Sequence, residues 1–496
     1  MTSMELITIP SVAVGEQIER IGSAQSAWAR VPIHERLRPV TAFRRLLIDE
    51  CDALCEAVRC DLGKSAEETI GGDLLPLADA CRFLEREAAH VLRPRRVPGA
   101  QRPLWLWGQT DTVYRRPRGV VGVIGTWNYP LLLNGVQIVQ ALTAGNGVLW
   151  KPSEVAPASA AALQGMVQRA GFPDGLFQCM EATREAGQAL TDAAVDHVVF
   201  TGSAAVGKRI AAHLGERLIS STLELSGCDA MFVLEDADVK MAARAAWFGA
   251  TVNRGQTCIA VRRAFVHRSL YPAFCDLLKE MASTATPLKL ALPGQVQYAE
   301  RLVREAVADG GRLLTPGVAP TNGDRAAFLP TVVVDARPES SLCREASFAP
   351  VMAVIPFDAL ETALDMHGRS SYGLGASIFT RDMTRAVGLA ALLPTGMVAV
   401  NDVIVPTAHP ATPFGGVGAS GWGATQGAEG LLEMTTPQVV SLRGGAFRPH
   451  YELAAGKSAG KQEELVRGLL ESAHAPTFGR RLRGWRRLIS ALWRGV

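Results

Sequence analysis

The stretch VVGVIGTWNYPLLLNGVQIVQALTAGNGVLWK, residues 120–151, decides the fold. Val120–Ile124 is an apolar run of strand length, punctuated by Gly122 and Gly125. Leu132–Ala144 then reads as a helix stopped by Gly145, and Gly147–Trp150 as a second buried strand. Strand, helix and strand in succession form the unit of a parallel sheet. Downstream the pattern repeats, with a helix over Ala158–Ala170, a strand over His197–Phe200 and a helix over Ala205–Leu214. Leu223–Leu225 and Met231–Val233 open another such series. It runs through the helix Met241–Val252 to strands at Leu329–Val334, Val351–Pro356 and Val398–Asn401. Upstream, residues 16–60 and 67–92 have helical periodicity, and a Pro- and Arg-rich segment, Pro94–Pro103, ends that region. The chain therefore reads as α/β, with a second α/β domain starting near residue 228.

Bulk composition narrows the class. With 496 residues, 48% hydrophobic and 20% charged, the chain is long enough for two or more cores. A formal charge of +3 leaves no global nucleic-acid footprint. Nine cysteines are scattered singly with no CxxC pair, which points to free thiols, a reducing compartment and no metal site. Cys51 and Cys55 read as small core residues of one helix rather than as ligands. Met1–Pro10 carries Glu5 and has no signal-peptide pattern, and no apolar run reaches the roughly 20 residues of a membrane span. A cytoplasmic protein is expected.

The tail differs. Residues 478–496 hold six Arg and no acid, while Leu482, Trp485, Ile489, Leu492 and Val496 keep helical spacing. Arg480, Arg483, Arg487 and Arg494 fall largely off that face. Such a helix can lie on the inner face of an anionic membrane, or dock on its own domain or on a dimer partner.

Five loops carry chemistry. Phe200-Thr201-Gly202-Ser203-Ala204-Ala205-Val206-Gly207 joins a strand to a helix through a glycine turn, where free N–H groups and the Ser203 hydroxyl favour a phosphate. Its spacing is not GxGxxG. Lys151-Pro152-Ser153-Glu154 follows a strand, so its Lys and Glu can reach ribose hydroxyls. Asn128, in Gly125-Thr126-Trp127-Asn128-Tyr129-Pro130, can donate to an oxyanion. Cys258, in Asn253-Arg254-Gly255-Gln256-Thr257-Cys258, is a thiol nucleophile whose pKa nearby donors should lower, and Glu224, in Glu224-Leu225-Ser226-Gly227, is a carboxylate base. Taken singly, the Lys151 and Asn128 loops are better read as plain turns and Cys258 as a buried structural cysteine, the Gly202–Ser203 turn reads equally either way, and Glu224 is alternatively a salt-bridged surface residue.

In their order, WNYP, KPSE, FTGSxxVG, ELSG, GQTC, Glu345-Ala346-Ser347-Phe348-Ala349-Pro350 and PFGGVGxSG (413–421) resemble the aldehyde dehydrogenase superfamily over roughly residues 15–445. The last motif is most similar to the class 3, fatty-aldehyde branch. The resemblance implies an aldehyde dehydrogenase-like fold: a Rossmann-like cofactor domain (1–99 and 119–227), an α/β catalytic domain (228–425), a small β oligomerisation element (100–118 and 426–445) and a tail (446–496). It implies Cys258 as nucleophile, Glu224 as general base and Asn128 as oxyanion donor. It also implies Trp127, Lys151, Ser153, Glu154, Gly202, Ser203, Gly207, Leu225 and Phe348 at an NAD site, with NADP possible. A homodimer or higher oligomer follows, with an aldehyde as substrate. Trp247, Phe248 and Ile259 line an apolar tunnel or belong to the core. Two departures stand out. Ala346 replaces the family's Glu at the nicotinamide ribose, with the neighbouring Glu345 facing away, and Ala349 replaces a Gly. Ser226 and Cys228 are milder changes. CoA-acylating reduction and a membrane-associated scaffold are the competing readings, opposed by Glu224 and by the retained Cys258, Asn128 and Lys151.

Overall fold

Strands buried on both faces need no polar alternation, and Val120–Ile124 and Gly147–Lys151 are buried at every position. The computed structural model describes residues 14–315, 326–445, 448, 451 and 459–493. Met1–Pro10, Arg494 and Val496 lie outside them.

The first sheet has six strands in the order Gly421–Trp422, Ser220–Leu225, His197–Gly202, Val120–Ile124, Gly147–Lys151 and Phe177–Cys179. All pair in parallel except Gly421–Trp422, which returns antiparallel onto Ser220–Leu225. The chain starts at Val120–Ile124, builds outward on one side, then crosses to His197–Gly202 on the other. That reversal opens a crevice beyond the strand carboxyl ends, where open α/β sheets bind ligands. The loop holding Asn128 and the Gly202–Ser203 turn flank it, and Lys151 and Glu224 lie at the ends of the outer neighbours. Leu223–Leu225, expected to open the second series, belongs instead to this sheet, because its backbone is paired along His197–Gly202.

The second sheet has seven strands in the order Arg312–Leu313, Thr331–Val334, Val351–Phe357, Val261–His267, Asp229–Val233, Gly375–Phe379 and Met397–Val400. Val261–His267 escapes the sequence reading because Arg262 and Arg263 interrupt its apolar pattern, yet both are buried. Gly375–Phe379, also unread, is a short buried strand that opens with three small residues. Cys258 lies just before the amino end of Val261–His267, so the nucleophile candidate enters from the second sheet and its partners come from the first.

Both sheets fall in one compact unit, Met1–Leu92 with Pro117–Thr436. The second unit, Arg93–Arg116 with Pro437–Val496, contains most of a three-stranded sheet (Arg95–Arg96, Gln109–Pro117 and Thr435–Arg443) and the helices Ala459–His474 and Phe478–Trp493. Helix Gly427–Glu433 packs in the first unit, where Gly430 and Leu431 are buried, and the two tail helices share a unit with the β element.

Candidate active site

A left-handed turn presents Cys258. Helix Val239–Thr251 gives way to three consecutive residues with positive φ: Asn253 (49°), Arg254 (60°) and Gly255 (70°). A Cβ on Gly255 would stand 2.4 Å from the backbone at Ala349 and Pro350, so only glycine fits there. Positive φ at Asn253 and Arg254 is strained, and the surroundings hold it. The Asn253 amide donates to the carbonyls of Asn128 (3.0 Å) and Gln256 (3.1 Å), and the Gln256 side chain accepts from the Ala291 N–H at 2.8 Å. Arg262, buried beneath the turn, donates to the carbonyls of Gly255, Thr257 and Ala349. Its burial pulls its pKa down to about 10.

Asn128 is held from both sides. Its Oδ1 accepts from the Thr126 hydroxyl at 3.0 Å, and its amide donates to the Gln256 carbonyl at 3.2 Å, leaving the second amide hydrogen uncommitted. Its carbonyl accepts from Lys64 Nζ at 2.7 Å, and Lys64 is buried in an ion pair with Asp73 at 3.1 Å. The Tyr129 hydroxyl meets that of Thr257 at 2.8 Å, joining the two loops.

Asn128, Glu224, Cys258, Phe348, Gly202 and Leu225 line one narrow cavity of about 30 Å³, together with Thr126, Gln137 and Thr425. The three expected catalytic residues are thus brought together. Glu224 accepts from the Thr425 hydroxyl at 3.5 Å through one oxygen, while its other oxygen has no partner among the described residues. Burial pushes its pKa up to about 8. The Cys258 thiol is likewise pushed up to about 12, by burial first, then by Glu224 and Asp229. This corrects the expected lowering: the backbone N–H groups of Cys258 and Ile259 favour the thiolate, but dehydration and two buried carboxyls outweigh them.

On its other side Cys258 opens into a cavity of about 470 Å³. Leu132, Leu133, Phe248, Ile259, Ile404 and Phe414 supply its apolar wall. Trp247, read with Phe248 and Ile259, is not on that wall. It lines a surface cleft beside Arg244, Met281 and Asp402, which Phe248 also borders.

The expected cofactor residues lie beyond the first-sheet strands. Lys151 is buried with Nζ 3.0 Å from Glu154, and Arg184, not singled out from sequence, stands 3.8 Å from the same carboxylate. Burial opposes the Glu154 charge, but its backbone N–H and these two cations hold its pKa below the usual value. Ser153 accepts from the Val155 N–H. Ser203 caps helix Ala204–Glu216 by accepting from the Val206 N–H, and Gly207 lets that helix lie on Leu225. Trp127 and Phe348 pack at 6.0 Å between ring centroids. Glu345 faces away, bonded to Tyr298 and Arg301, so it does not replace the carboxylate missing at Ala346.

Thr126, Lys64, Arg262 and Asp229 escaped the sequence reading. Asp229, buried and pushed up to about 8, faces the thiol electrostatically. The available signal was an Arg doublet inside a strand-length apolar run, Ala260-Val261-Arg262-Arg263-Ala264-Phe265-Val266.

Comparison with known proteins agrees with this geometry. The aldehyde dehydrogenase family matches residues 7–440. The chain is 33% identical to the 4,4'-diapolycopene aldehyde oxidase of a Methylomonas species over 435 residues, covering 86% of this chain and 80% of that protein. Among solved structures, the Mycobacterium tuberculosis aldehyde dehydrogenase complexed with NAD+ superposes with a TM-score of 0.82 at 28% identity, covering 89% of this chain and 92% of that one. PnpE from Pseudomonas sp. WBC-3 gives 0.81 at 28% identity, covering 88% and 91%. From sheet topology, motif order and these matches, the chain belongs to the aldehyde dehydrogenase family.

Proposed function

We propose that the protein oxidises an apolar aldehyde, medium- or long-chain aliphatic or aromatic, to the carboxylic acid with NAD. The observation that carries this reading is the position of Cys258, where an apolar cavity of about 470 Å³ meets the polar cleft holding Asn128 and Glu224. The class 3 resemblance of PFGGVGxSG supports the same substrate class.

The residues present fit NAD at its adenosine and phosphate end. Lys151 and Glu154 would hold the ribose, and the start of helix Ala204–Glu216 the pyrophosphate. Glu154 disfavours a 2′-phosphate, while Lys151 and Arg184 tolerate one, so NADP is a weaker alternative. At the nicotinamide end, Phe348, Glu224 Oε2 and Gln137 Oε1, the two oxygens without a partner among the described residues, face a space that must widen to take a ring. When bound, NAD accepts the hydride from the substrate carbon.

The chain's own residues perform the remaining steps. The Cys258 thiol gives its proton to solvent, Sγ bonds to the carbonyl carbon as the C=O π pair moves onto oxygen, and the developing oxyanion accepts from the Asn128 amide and the Cys258 backbone N–H. After oxidation the substrate is a thioester on Cys258. Glu224 takes a proton from water, the water oxygen attacks the thioester carbon, and the C–S bond breaks to release the acid. A homodimer is part of this proposal. Strand Thr435–Arg443 is an exposed sheet edge, with Val439 and Leu442 in water, and can extend a partner's sheet.

The test is NADH formation across aldehyde chain lengths, with NAD and with NADP. Rising kcat/KM toward apolar chains without added CoA is expected. A preference for charged short aldehydes, or an absolute need for CoA, overturns the reading.

A further inference from the structure

Helix Phe478–Trp493 packs the wrong way round for a helix seeking only a protein core. Toward helix Ala459–His474 it turns small residues and Leu488: Gly484, Leu488 and Ala491 are buried, against Gly468 and Ser472. The two backbones meet so closely that a Cβ on Gly484 would lie 2.4 Å from the Ser472 nitrogen. Arg487 closes this seam by an ion pair with Glu471 at 3.2 Å, so it belongs to the packing face rather than to the free arginine flank expected from sequence.

The large apolar residues are left outside. Phe478, Leu482, Trp485, Ile489 and Trp493 recur at helical spacing on one face, each between 43% and 88% exposed. Arg480, Arg483 and Arg486 are also exposed and make no side-chain hydrogen bond or ion pair among the described residues. The helix contains no acid. No helix among the described residues is long and apolar enough to cross a membrane.

We infer that this face docks the protein on an anionic bilayer, with Trp485, Ile489 and Leu482 at the acyl boundary and the arginines on lipid phosphates. A second copy is a poorer occupant, because self-pairing of the face would set arginine against arginine with no acid to offset it. A purely polyanionic partner would use the arginines and leave the tryptophans, Leu482 and Ile489 in water. A bilayer uses both, the arrangement of an interfacial helix. The inference does not depend on the proposed substrate.

The test uses the full-length protein in cosedimentation with vesicles of phosphatidylcholine alone or mixed with phosphatidylglycerol. Sedimentation velocity and turnover of a water-soluble aldehyde serve as controls. Binding to the mixed vesicles only, weakened by salt, is expected. Leu482→Ser with Ile489→Ser should reduce binding about tenfold or more, since binding scales with buried apolar area. Arg480→Gln, Arg483→Gln and Arg486→Gln together should reduce it by roughly fivefold per charge. All five positions are exposed, so fold and soluble turnover should be unchanged. The inference is overturned by any of three results: no binding to mixed vesicles, variants that bind like the parent, or an apolar variant that instead dissociates an oligomer. Heparin binding that survives the apolar substitutions without vesicle binding overturns it as well.

Discussion

Burial pushes the Cys258 thiol up to about 12 and the Glu224 carboxyl up to about 8, so the resting site holds both protons near neutrality. A carboxyl titrating near 8 is matched to taking a proton from water at working pH. Glu224→Gln should keep a burst of NADH and lose steady-state turnover by roughly 10²–10⁴-fold. The rise of kcat through about pH 8 should vanish with it, which stopped-flow and pH–rate profiles will check. Cys258→Ala should lose the burst too. The stability consequence has a definite sign. A carboxyl raised from 4.5 to about 8 keeps its proton in the folded state over that window and loses it when unfolded. Its stabilising contribution is complete below pH 4.5 and is lost as pH rises through 8. The stability of Glu224→Gln, followed by denaturation, should therefore gain on that of the parent as pH rises from 4.5 to about 8. On the proposed NAD site, a carboxylate at position 346 would add one or two hydrogen bonds to the cofactor, so Ala346→Glu should lower the NAD KM about tenfold with a smaller change in kcat.

Elements hold these residues through contacts that sequence spacing does not reveal. The motif Gly255-Gln256-Thr257-Cys258 was legible as a turn, but three successive left-handed residues stabilised by a buried arginine were not. Arg262 was unreadable because a charged residue in a strand is ordinarily assigned to a solvated face. Its burial depends on carbonyls supplied by residues 255, 257 and 349. Arg262→Met leaves these acceptors unpaired and should destabilise the protein by about 3 kcal/mol, with kcat falling more than KM rises. The Lys64–Asp73 pair acts similarly on the neighbouring loop. Asp73 accepts from the N–H groups of Leu131 and Leu132 at the start of helix Leu132–Ala144, and Lys64 fixes the Asn128 carbonyl. Lys64→Met leaves a buried carboxylate unpaired, at a cost of about 3–5 kcal/mol. Thermal inactivation should show the loss, and kcat should fall with it.

For the whole molecule, the exposed edge of Thr435–Arg443 leads to a prediction about assembly. Val439→Lys with Leu442→Lys should leave the monomer folded and shift sedimentation toward it, since like charges block strand addition. The alternation of buried strands and helices was readable along the chain because periodicity and turn residues are local properties. So were the loops bearing Asn128, Lys151, Ser203, Glu224 and Cys258, whose order carries the family resemblance. Their convergence was not local. The crossover from Phe177–Cys179 to His197–Gly202 aims four loops at one crevice, and a strand of the second sheet delivers Cys258 to it. The proton affinities were decided there too. Local donors favour a thiolate, yet the neighbours brought by folding dehydrate it and add Glu224 and Asp229, separated from Cys258 in the chain. In the tail, sequence alone established an amphipathic helix rich in arginine. Only packing against Ala459–His474 determined that its small residues would be covered and its tryptophans left in water, because a close backbone crossing admits glycine and excludes indole.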